Sequence, residues 1–237
     1  ILPSRKLDKI IPYFNRSPLE KREKVKFLVT DMNAAYFQLT KNVFPTAKLI
    51  IDRFHIVKHL NTAFNDFRVR EMKRLITNKK KSKANKLKSN WKLLLKNQTN
   101  ISISEFKTWR SFPSPKYHLL TESMVIDRLL SFSSELKEAY DIFHLLMYHF
   151  RNKDDRSFFE LLKNLPDSLD TQFRDKIENL ISYEEGIRNA LKYNFSNGKI
   201  EAKNTHIKTL KRVSYGFNSF TNMRIRIFLI NGLIKIK

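Results

Sequence analysis

Two short apolar runs, each ending in an aspartate, constrain the fold of this chain more than any other feature of its sequence. KVKFLVTD spans Lys24–Asp31 and AKLIID spans Ala47–Asp52. Their length and their strand-favouring residues predict two buried strands. Between them, NAAYFQLTKNVF carries an apolar residue at every fourth position, which predicts a helix that stops at Pro45. The segment is therefore expected to form a strand–helix–strand unit.

A longer helix is predicted directly after the second strand. The sequence HIVKHLNTAFNDFRVREMKRLI places one apolar stripe along this helix, formed by Ile56, Leu60, Phe64 and Phe67. The order strand, helix, strand, helix with short connections predicts a right-handed unit with two parallel strands. Asp31 and Asp52 then lie at the carboxyl ends of their strands, which is the edge where open α/β sheets place their functional sites.

The middle of the chain is predicted to be helical. Residues 70–96 contain 11 Lys and Arg residues and one acid. Such a run forms either a solvated helix face or mobile loop, or a surface that contacts phosphates, and the sequence leaves both open. Residues 100–190 have helical spacing throughout, apart from a break at SFPSPKYHLL. The prediction is an α/β fold with a large helical insertion, followed by a basic tail that returns to the α/β unit.

The charge of the chain predicts a polyanionic partner. Its 237 residues carry 46 Lys and Arg against 23 Asp and Glu, a formal net charge of +23. Nucleic acid is the usual partner for such an excess, and a membrane surface is the weaker alternative. No apolar run approaches the roughly 20 residues that span a bilayer. A basic ribosomal or housekeeping protein remains open on composition alone.

Several classes of site are excluded by residues that the chain lacks. It has no cysteine, which excludes disulfides, thiolate zinc sites and cysteine nucleophiles. It has four glycines and none of the motifs GxGxxG, GxxxxGKS/T and GxSxG, which excludes a glycine-rich phosphate loop and a nucleophile elbow. His55 follows the Asp52 strand and is expected near the edge of the site. The histidines expected to be ordinary surface or boundary residues are His59, His118, His144 and His149.

Asp31 and Glu201 are carboxylates that have both a structural and a functional interpretation. Asp31 precedes a helix, and Asp is a favoured capping residue. Glu201 follows the turn SNG and falls in the first turn of a helix that begins near Asn197 or Gly198, where the helix dipole favours an anion. One polar face of that helix carries Glu201, Thr205, Lys208 and Arg212, and the apolar stripe beside it carries Ile200, Ile207, Leu210 and Val213. A carboxylate followed by cations suits metal-dependent phosphoryl transfer on DNA.

Two segments resemble the core of the ISL3-type transposases. They are VTDMNAAYFQLTKNVFPTAKLIIDRFHIVKHLNTAFNDFR at Val29–Arg68 and SNGKIEAKNTHIKTLKRVSYGF at Ser196–Phe217, the second being followed by NMRIRI. The strings D-M-x-x-x-Y, F-P-x-A-K-x-I-x-D-R-F-H and S-N-G-x-x-E-x-x-N-x-x-I-K-x-x-K-R are specific in combination. The resemblance implies a DDE transposase with an RNase H-like core. In such enzymes three acids bind Mg²⁺ or Mn²⁺ and catalyse DNA cleavage and strand transfer of an insertion sequence.

The resemblance also implies roles for individual residues. Asp31 and Glu201 match two of the three catalytic, metal-binding acids, while Asp52 and His55 are expected to have supporting roles. The residues expected to contact DNA are Lys203, Lys208, Lys211 and Arg212. The family's first acid lies upstream of the D-M motif, where Asp8 is the one aspartate and RKLDKII lacks the pattern of a buried strand. We therefore expect the first acid and the opening strands of the core to be missing from a truncated chain.

A division of the chain and a set of partners follow from the same resemblance. Residues 1–76 are expected to form the first part of the RNase H-like core, 77–190 the basic segment and helical insertion, and 191–237 the final core helix and basic tail. The expected partner is double-stranded DNA at transposon ends and target, not a membrane, and a homo-oligomer is left open. The expected location is the bacterial cytoplasm, at the nucleoid. A non-catalytic DNA-binding remnant of a transposase is the alternative, and a general RNase H-like nuclease is a third.

Overall fold

Two helices precede the first strand in the computed structural model, which describes residues 2–4 and 6–235. Helix α1 spans Leu7–Asn15 and helix α2 spans Leu19–Arg22. Arg22 ties α2 to the helix that follows the first strand, because its guanidinium donates a hydrogen bond to the Val43 carbonyl at 2.7 Å. These helices therefore pack onto the predicted strand–helix–strand unit.

That strand–helix–strand unit is confirmed. Strand β1 (Phe27–Thr30) pairs in parallel with β2 (Lys48–Ile51), and helix α3 (Ala34–Val43) connects them. In the described part of the chain these two strands make up one two-stranded sheet. Because the strands run in the same direction and in register, Asp31 and Asp52 follow neighbouring strands at the same edge of the sheet.

The chain then forms a compact helical unit, Arg53–Lys192. Its helices are α4 (Arg53–Thr77), α5 (Lys81–Ser89), α6 (Trp91–Leu94), α7 (Glu122–Leu130), α8 (Ser134–Arg151), α9 (Asp155–Lys163), α10 (Thr171–Glu178) and α11 (Glu184–Lys192). Two short 3-10 turns lie at Gln98–Asn100 and Asn179–Tyr183. The long helix predicted after the second strand is α4, and all four residues of its predicted apolar stripe are buried.

Phenylalanine rings fill the centre of the helical unit. Phe64 of α4 stacks on Phe143 of α8 with their ring centroids 4.8 Å apart, and Phe173 of α10 meets Phe64 edge-on. Phe158 and Phe159 of α9 are fully buried beside them. Burial of each such ring contributes about 1.5–3 kcal/mol, so the helical unit has a substantial apolar core of its own.

A second compact unit contains the strands and the last helices. It comprises the residues up to Asp52 together with those from Tyr193 onward, including α12 (Gly198–Val213) and α13 (Phe220–Ile230). Its apolar cluster surrounds α3, and the buried members are Leu39, Val43 and Phe44. Side chains of α1 pack onto this cluster. This packing holds α3, the helix that connects the two strands.

Helix α12 buries none of its residues. Ile200 and Val213 of its predicted apolar stripe are 62% and 67% exposed, and Ile207 and Leu210 are half-buried. The start of α12 is therefore fixed by polar contacts rather than by burial of an apolar stripe.

Part of the region between α6 and α7 differs from the prediction that residues 100–190 are helical throughout. Residues 101–121 form a loop with two isolated antiparallel bridges, Lys107 with Leu120 and Trp109 with Phe112. Two prolines in this loop, Pro113 and Pro115, lack the backbone donors that a continuous helix requires. The helical prediction was correct on the carboxyl-terminal side, where α7 to α11 follow one another.

The prediction that four histidines occupy ordinary surface or boundary positions is wrong for His144. His144 is 4% exposed, and its Nε2–H donates to the Leu94 carbonyl at 3.0 Å. His59, His118 and His149 are half-buried or exposed, as predicted. The apolar spacing of α8 predicts which side of the helix faces the core, and His144 lies on that side next to Phe143.

The compact units do not coincide with the three segments expected from the sequence. Helix α4 belongs to the helical unit because it packs against α5, α8 and α10, whereas the sequence grouped it with residues 1–76. As a functional division, the segments 1–76, 77–190 and 191–237 stay a prediction. The described chain is mostly helical with a small parallel sheet, and the RNase H-like core stays a prediction too. None of its described helices is long and apolar enough to cross a membrane.

Candidate active site

Asp31 follows β1 directly and is exposed. The helix after it, α3, is capped by Asn33, whose Oδ1 accepts a hydrogen bond from the Ala35 backbone N–H at 3.1 Å. The capping role that the sequence allowed for Asp31 is therefore taken by Asn33. The Asp31 carboxylate remains at the end of the strand, which is where a ligand of an α/β site is expected.

Asp52 follows β2 and is buried, with 4% of its surface exposed. Its backbone N–H donates to the Thr30 carbonyl at 2.9 Å, which extends the pairing of the two strands by one residue. Its Oδ2 accepts a hydrogen bond from the Asn197 backbone N–H at 2.6 Å. A buried carboxylate needs such partners to compensate for lost hydration, so this bond joins the end of β2 firmly to the start of α12.

Asn197 connects both strand ends with the helix that carries Glu201. Its Nδ2 donates to Asp31 Oδ1 at 3.4 Å, and its carbonyl accepts from the Glu201 backbone N–H at 2.9 Å. Asn is a favoured N-cap residue, yet the Asn197 side chain makes no capping bond to α12. The sequence predicts a helix start near Asn197 but does not predict this link. The feature of the sequence that could have indicated this link is the position of Asn197 at the junction between the SNG turn and the helix.

Aromatic side chains hold the segment that leads into this turn. The Phe27 ring of β1 contacts the rings of Tyr193 and Phe195, with centroid distances of 4.7 and 4.8 Å. Lys48 of β2 donates to the Tyr193 hydroxyl at 2.9 Å and lies over its ring. Both strands therefore anchor residues 193–195, and this anchoring places the SNG turn at the ends of the strands.

Glu201 lies in the first turn of α12 and is exposed. The helix dipole favours a carboxylate at this position, so the structural interpretation of Glu201 remains valid beside the functional one. The cations predicted to contact DNA lie further along the same helix, and all four, Lys203, Lys208, Lys211 and Arg212, are exposed. Lys203 donates to the side-chain carbonyl of Asn231, just beyond α13. The helix thus presents one carboxylate at its start and several cations to solvent after it.

His55 lies in the first turn of α4 and is half-buried. Its ring meets the Phe54 ring edge-on, with the centroids 5.5 Å apart. It belongs to the helical unit, whereas Asp52 belongs to the unit that contains the strands. The supporting role expected for His55 stays a prediction.

The two acids predicted to bind a metal, Asp31 after β1 and Glu201 in α12, are of the residue types that Mg²⁺ sites use. Carboxylate oxygens are the hard ligands that Mg²⁺ and Mn²⁺ prefer, and Asp31 and Glu201 supply them from exposed positions. Within residues 2–4 and 6–235, no group of three or more His, Asp or Glu side chains lies close enough to hold a metal ion. The assignment of Asp31 and Glu201 as metal ligands therefore stays a prediction.

Two comparisons with known proteins gave matches. The first agrees with the family that the motifs predict, and the second is a protein with a different name. The family model of the ISL3-type DDE transposases, described as Transposase, matches residues 1–227. A curated protein of Lactococcus lactis subsp. lactis, named ATP-dependent protease, is 40% identical over 116 residues. The matched region is 48% of this chain and 36% of that protein, so the chain spans little more than a third of the relative's length. No solved structure matches.

Proposed function

Because the chain belongs to the ISL3 family of transposases, we propose that it cleaves DNA and transfers strands of an insertion sequence by metal-dependent catalysis. The observation that carries the proposal is the position of Asn197. This one residue contacts Asp31 and Asp52 and begins the helical turn that bears Glu201. Residues from three separate parts of the sequence thereby meet at the carboxyl ends of two parallel strands, as expected for an RNase H-like core.

Asp31 and Glu201 are the proposed catalytic residues and would hold Mg²⁺ or Mn²⁺. When bound, such an ion supplies Lewis-acid activation of the attacking hydroxyl and stabilises charge on the leaving oxygen. Asp52 is the proposed positioning residue, because its buried carboxylate holds the start of α12 against β2. Each carboxylate then has a separate task, in agreement with its exposure.

The proposed DNA contacts lie on α12. Among the described residues, Lys208, Lys211 and Arg212 form no ion pair, and all three are exposed. Cations of this kind position a duplex through its phosphates without reading its sequence. The partner would be double-stranded DNA at the transposon ends and at the target, and the place of action would be the bacterial nucleoid.

The test uses the full-length protein and a supercoiled plasmid that carries the ends of the insertion sequence. Asp31→Asn and Glu201→Gln each remove one charged ligand and should lower Mg²⁺-dependent cleavage by roughly 10²-fold or more. DNA binding in EDTA should stay unchanged, because neither residue is a cation. Gel analysis of nicked and linear plasmid measures cleavage, and fluorescence anisotropy measures binding.

Matched controls come from exposed acids of the same unit. Asp8→Asn and Glu20→Gln make the same chemical changes on α1 and α2 and should leave cleavage unchanged. Cleavage at the wild-type rate by either Asp31→Asn or Glu201→Gln would contradict the assignment of the catalytic residues.

The second candidate is a non-catalytic, DNA-binding relative of the transposases. The absence of a three-acid cluster within residues 2–4 and 6–235 favours it. Both candidates predict DNA binding that weakens with salt, and only the enzyme predicts nicking that depends on a divalent ion. The sequence lacks the GxxxxGKS/T phosphate loop that many ATP-binding proteins carry.

A further inference from the structure

A basic groove lies in the helical unit between α5 and the loop residues Trp109–Ser111. This α5 groove has a volume of about 940 Å³ and is open to solvent. Three cations line it: Lys81 and Lys86 of α5 and Arg110 of the loop. The other lining residues are serines, asparagines and one tryptophan, and none is an acid. The groove therefore combines positive charge with neutral hydrogen-bonding groups.

The walls of the α5 groove are held together by a buried asparagine. Asn90 Nδ2 donates to Ser111 Oγ at 3.0 Å and to the Lys86 carbonyl at 2.8 Å. On the far side of the loop, the Trp109 indole N–H donates to the Leu120 carbonyl at 2.9 Å. These bonds join the loop to the end of α5 and to the strand-like bridge behind it. The groove is thus a built surface with two fixed walls.

Lys86 is positioned by aromatic rings rather than by an acid. Its Nζ lies 4.4 Å from the Phe112 ring centroid and 5.2 Å from that of Tyr117. A cation over an aromatic face is held in place while it keeps its full charge. The aromatic contacts therefore fix the Lys86 ammonium without neutralising it.

Within the described part of the chain, the cations of the α5 groove pair with no carboxylate. Among the ion pairs of the described residues, none involves Lys81, Lys86 or Arg110, although two nearby lysines both approach Glu122. From position 79 to position 96 the sequence has eight lysines and no acid. A solvated helix face can also be basic, but here cations from two different segments converge on one concave surface. Like charges held together in a concave surface repel one another, and a bound polyanion relieves that repulsion.

We propose that the α5 groove binds the phosphate backbone of double-stranded DNA, an inference that rests on DNA being the partner of the proposed function. Lys, Arg, Ser and Asn are the side chains that contact phosphates and sugars in protein–DNA complexes. Duplex DNA carries one negative charge per roughly 1.7 Å of its axis, which matches a surface with several closely spaced cations. Because contacts to phosphates and sugars carry no sequence information, we expect this contact to be independent of DNA sequence. Of the two interpretations that the sequence left open for residues 70–96, the proposal favours the phosphate-contacting surface.

The test compares two double variants in the full chain. Lys81→Gln/Arg110→Gln removes two exposed groove cations and leaves Lys86 in its aromatic contacts. Lys153→Gln/Arg156→Gln removes one exposed lysine and one exposed arginine elsewhere in the helical unit, so its loss of charge is identical. Binding to a fluorescent random-sequence duplex is measured by anisotropy in EDTA between roughly 0.05 and 0.2 M salt. Because EDTA prevents cleavage, the result does not depend on the catalytic assignment of Asp31 and Glu201.

The groove variant should bind roughly ten-fold more weakly at 0.1 M salt, and the slope of log K against log salt should fall by about two. The control variant should change affinity by less than about two-fold, since exposed charges beyond a Debye length are largely screened. Equal losses in both variants, or wild-type binding by the groove variant, would overturn the proposal. So would a groove variant that loses binding to anionic lipid vesicles while it keeps its affinity for DNA.

A second measurement uses the unmodified chain and does not depend on the variants folding. Duplex DNA in EDTA should slow acetylation of Lys81 and Lys86 and leave acetylation of Lys153 unchanged, as read by mass spectrometry. Unprotected Lys81 and Lys86 under saturating DNA would contradict the proposed contact.

Discussion

At the scale of single residues, His144 shows how burial sets the charge state of a side chain. Burial lowers its pKa from about 6.5 to about 4, partly offset by its hydrogen bond to the Leu94 carbonyl. A carbonyl can only accept, so Nε2 carries the proton and His144 is neutral in the folded chain at pH 7. The unfolded chain has no such burial, and its histidine takes up a proton below pH 6.5.

The lowered pKa of His144 predicts a loss of stability in mild acid. Between pH 6.5 and pH 4 the unfolded state binds more protons than the folded state, so stability falls as the pH falls. Relative to His144→Gln, the wild type should lose roughly 2 kcal/mol between pH 7 and pH 4.5. Urea unfolding at a series of pH values measures the difference. His118→Gln, which makes the same substitution at an exposed position, is the control.

If stability depended on pH in the same way in the wild type and in His144→Gln, the pKa of His144 would be the same in the folded and unfolded states. That result would contradict the prediction. Asp and Glu residues also contribute to the pH dependence of stability. Their contribution is present in both proteins and cancels in the comparison. The neutral state of His144 at pH 7 thus follows mainly from its burial.

At the scale of elements, polar side chains decide where helices begin. α7, α8, α9, α10 and α13 each start at a side chain that accepts a hydrogen bond from the first helical turn. At α8 the capping residue is Ser133, whose Oγ accepts from the Leu136 N–H at 3.0 Å. The same hydroxyl lies 2.8 Å from Oε2 of Glu71 and 2.8 Å from Oε2 of Glu135, and its one proton can be donated to either. Glu71 is a buried acid of α4 that also pairs with Arg74. One serine therefore both caps α8 and joins it to α4.

Loss of the Ser133 hydroxyl should destabilise the helical unit. We expect Ser133→Ala to lower the free energy of unfolding by about 2–3 kcal/mol, since it removes a cap and a hydrogen bond to a buried carboxylate. The neighbouring Ser134→Ala is the matched control, because Ser134 is exposed and lies inside the helix. Chemical denaturation followed by circular dichroism measures both. Equal stability of the two variants would show that the contact to Glu71 contributes nothing.

At the scale of the whole molecule, the two compact units differ in how they are stabilised. The helical unit has fully buried phenylalanines from four different helices, whereas the unit with the strands has a small cluster around α3. In that second unit, α12 buries no residue and is connected to the strand ends through Asn197. Stability is therefore concentrated in the helical unit, while the candidate active site lies in the other.

The helical unit should fold by itself. Its span of about 140 residues is the size of an ordinary domain, and its core is complete within Arg53–Lys192. The fragment 53–192 should be helical by circular dichroism and should unfold in one cooperative transition. Phe64→Ala in that fragment should lower its stability by about 3–5 kcal/mol, because it leaves a cavity under Phe143. A fragment that shows no cooperative transition would contradict an independent core.

Elements with a local signal could be predicted from the sequence. Periodicity placed β1, α3, β2 and α4, and the acids that end the two runs put Asp31 and Asp52 at the edge of the sheet. The quoted motifs predicted the ISL3 transposase family, and the family match over residues 1–227 confirms it. Periodicity is sufficient for such features because each depends on residues a few positions apart.

Contacts between residues far apart in the sequence could be seen only in the folded structure. Asn197 bonds to Asp52 across 145 positions of sequence, and no local pattern records that contact. The burial of His144 and the α5 groove likewise depend on contacts between separate elements, Leu94 with α8 and Asn90 with Ser111. Backbone spacing repeats along one helix, but hydrogen bonding and burial depend on what the fold brings opposite each side chain. The positions of Asp31 and Asp52 after their strands could therefore be predicted from the sequence. Their contacts with Asn197, at the start of α12, depend on the fold.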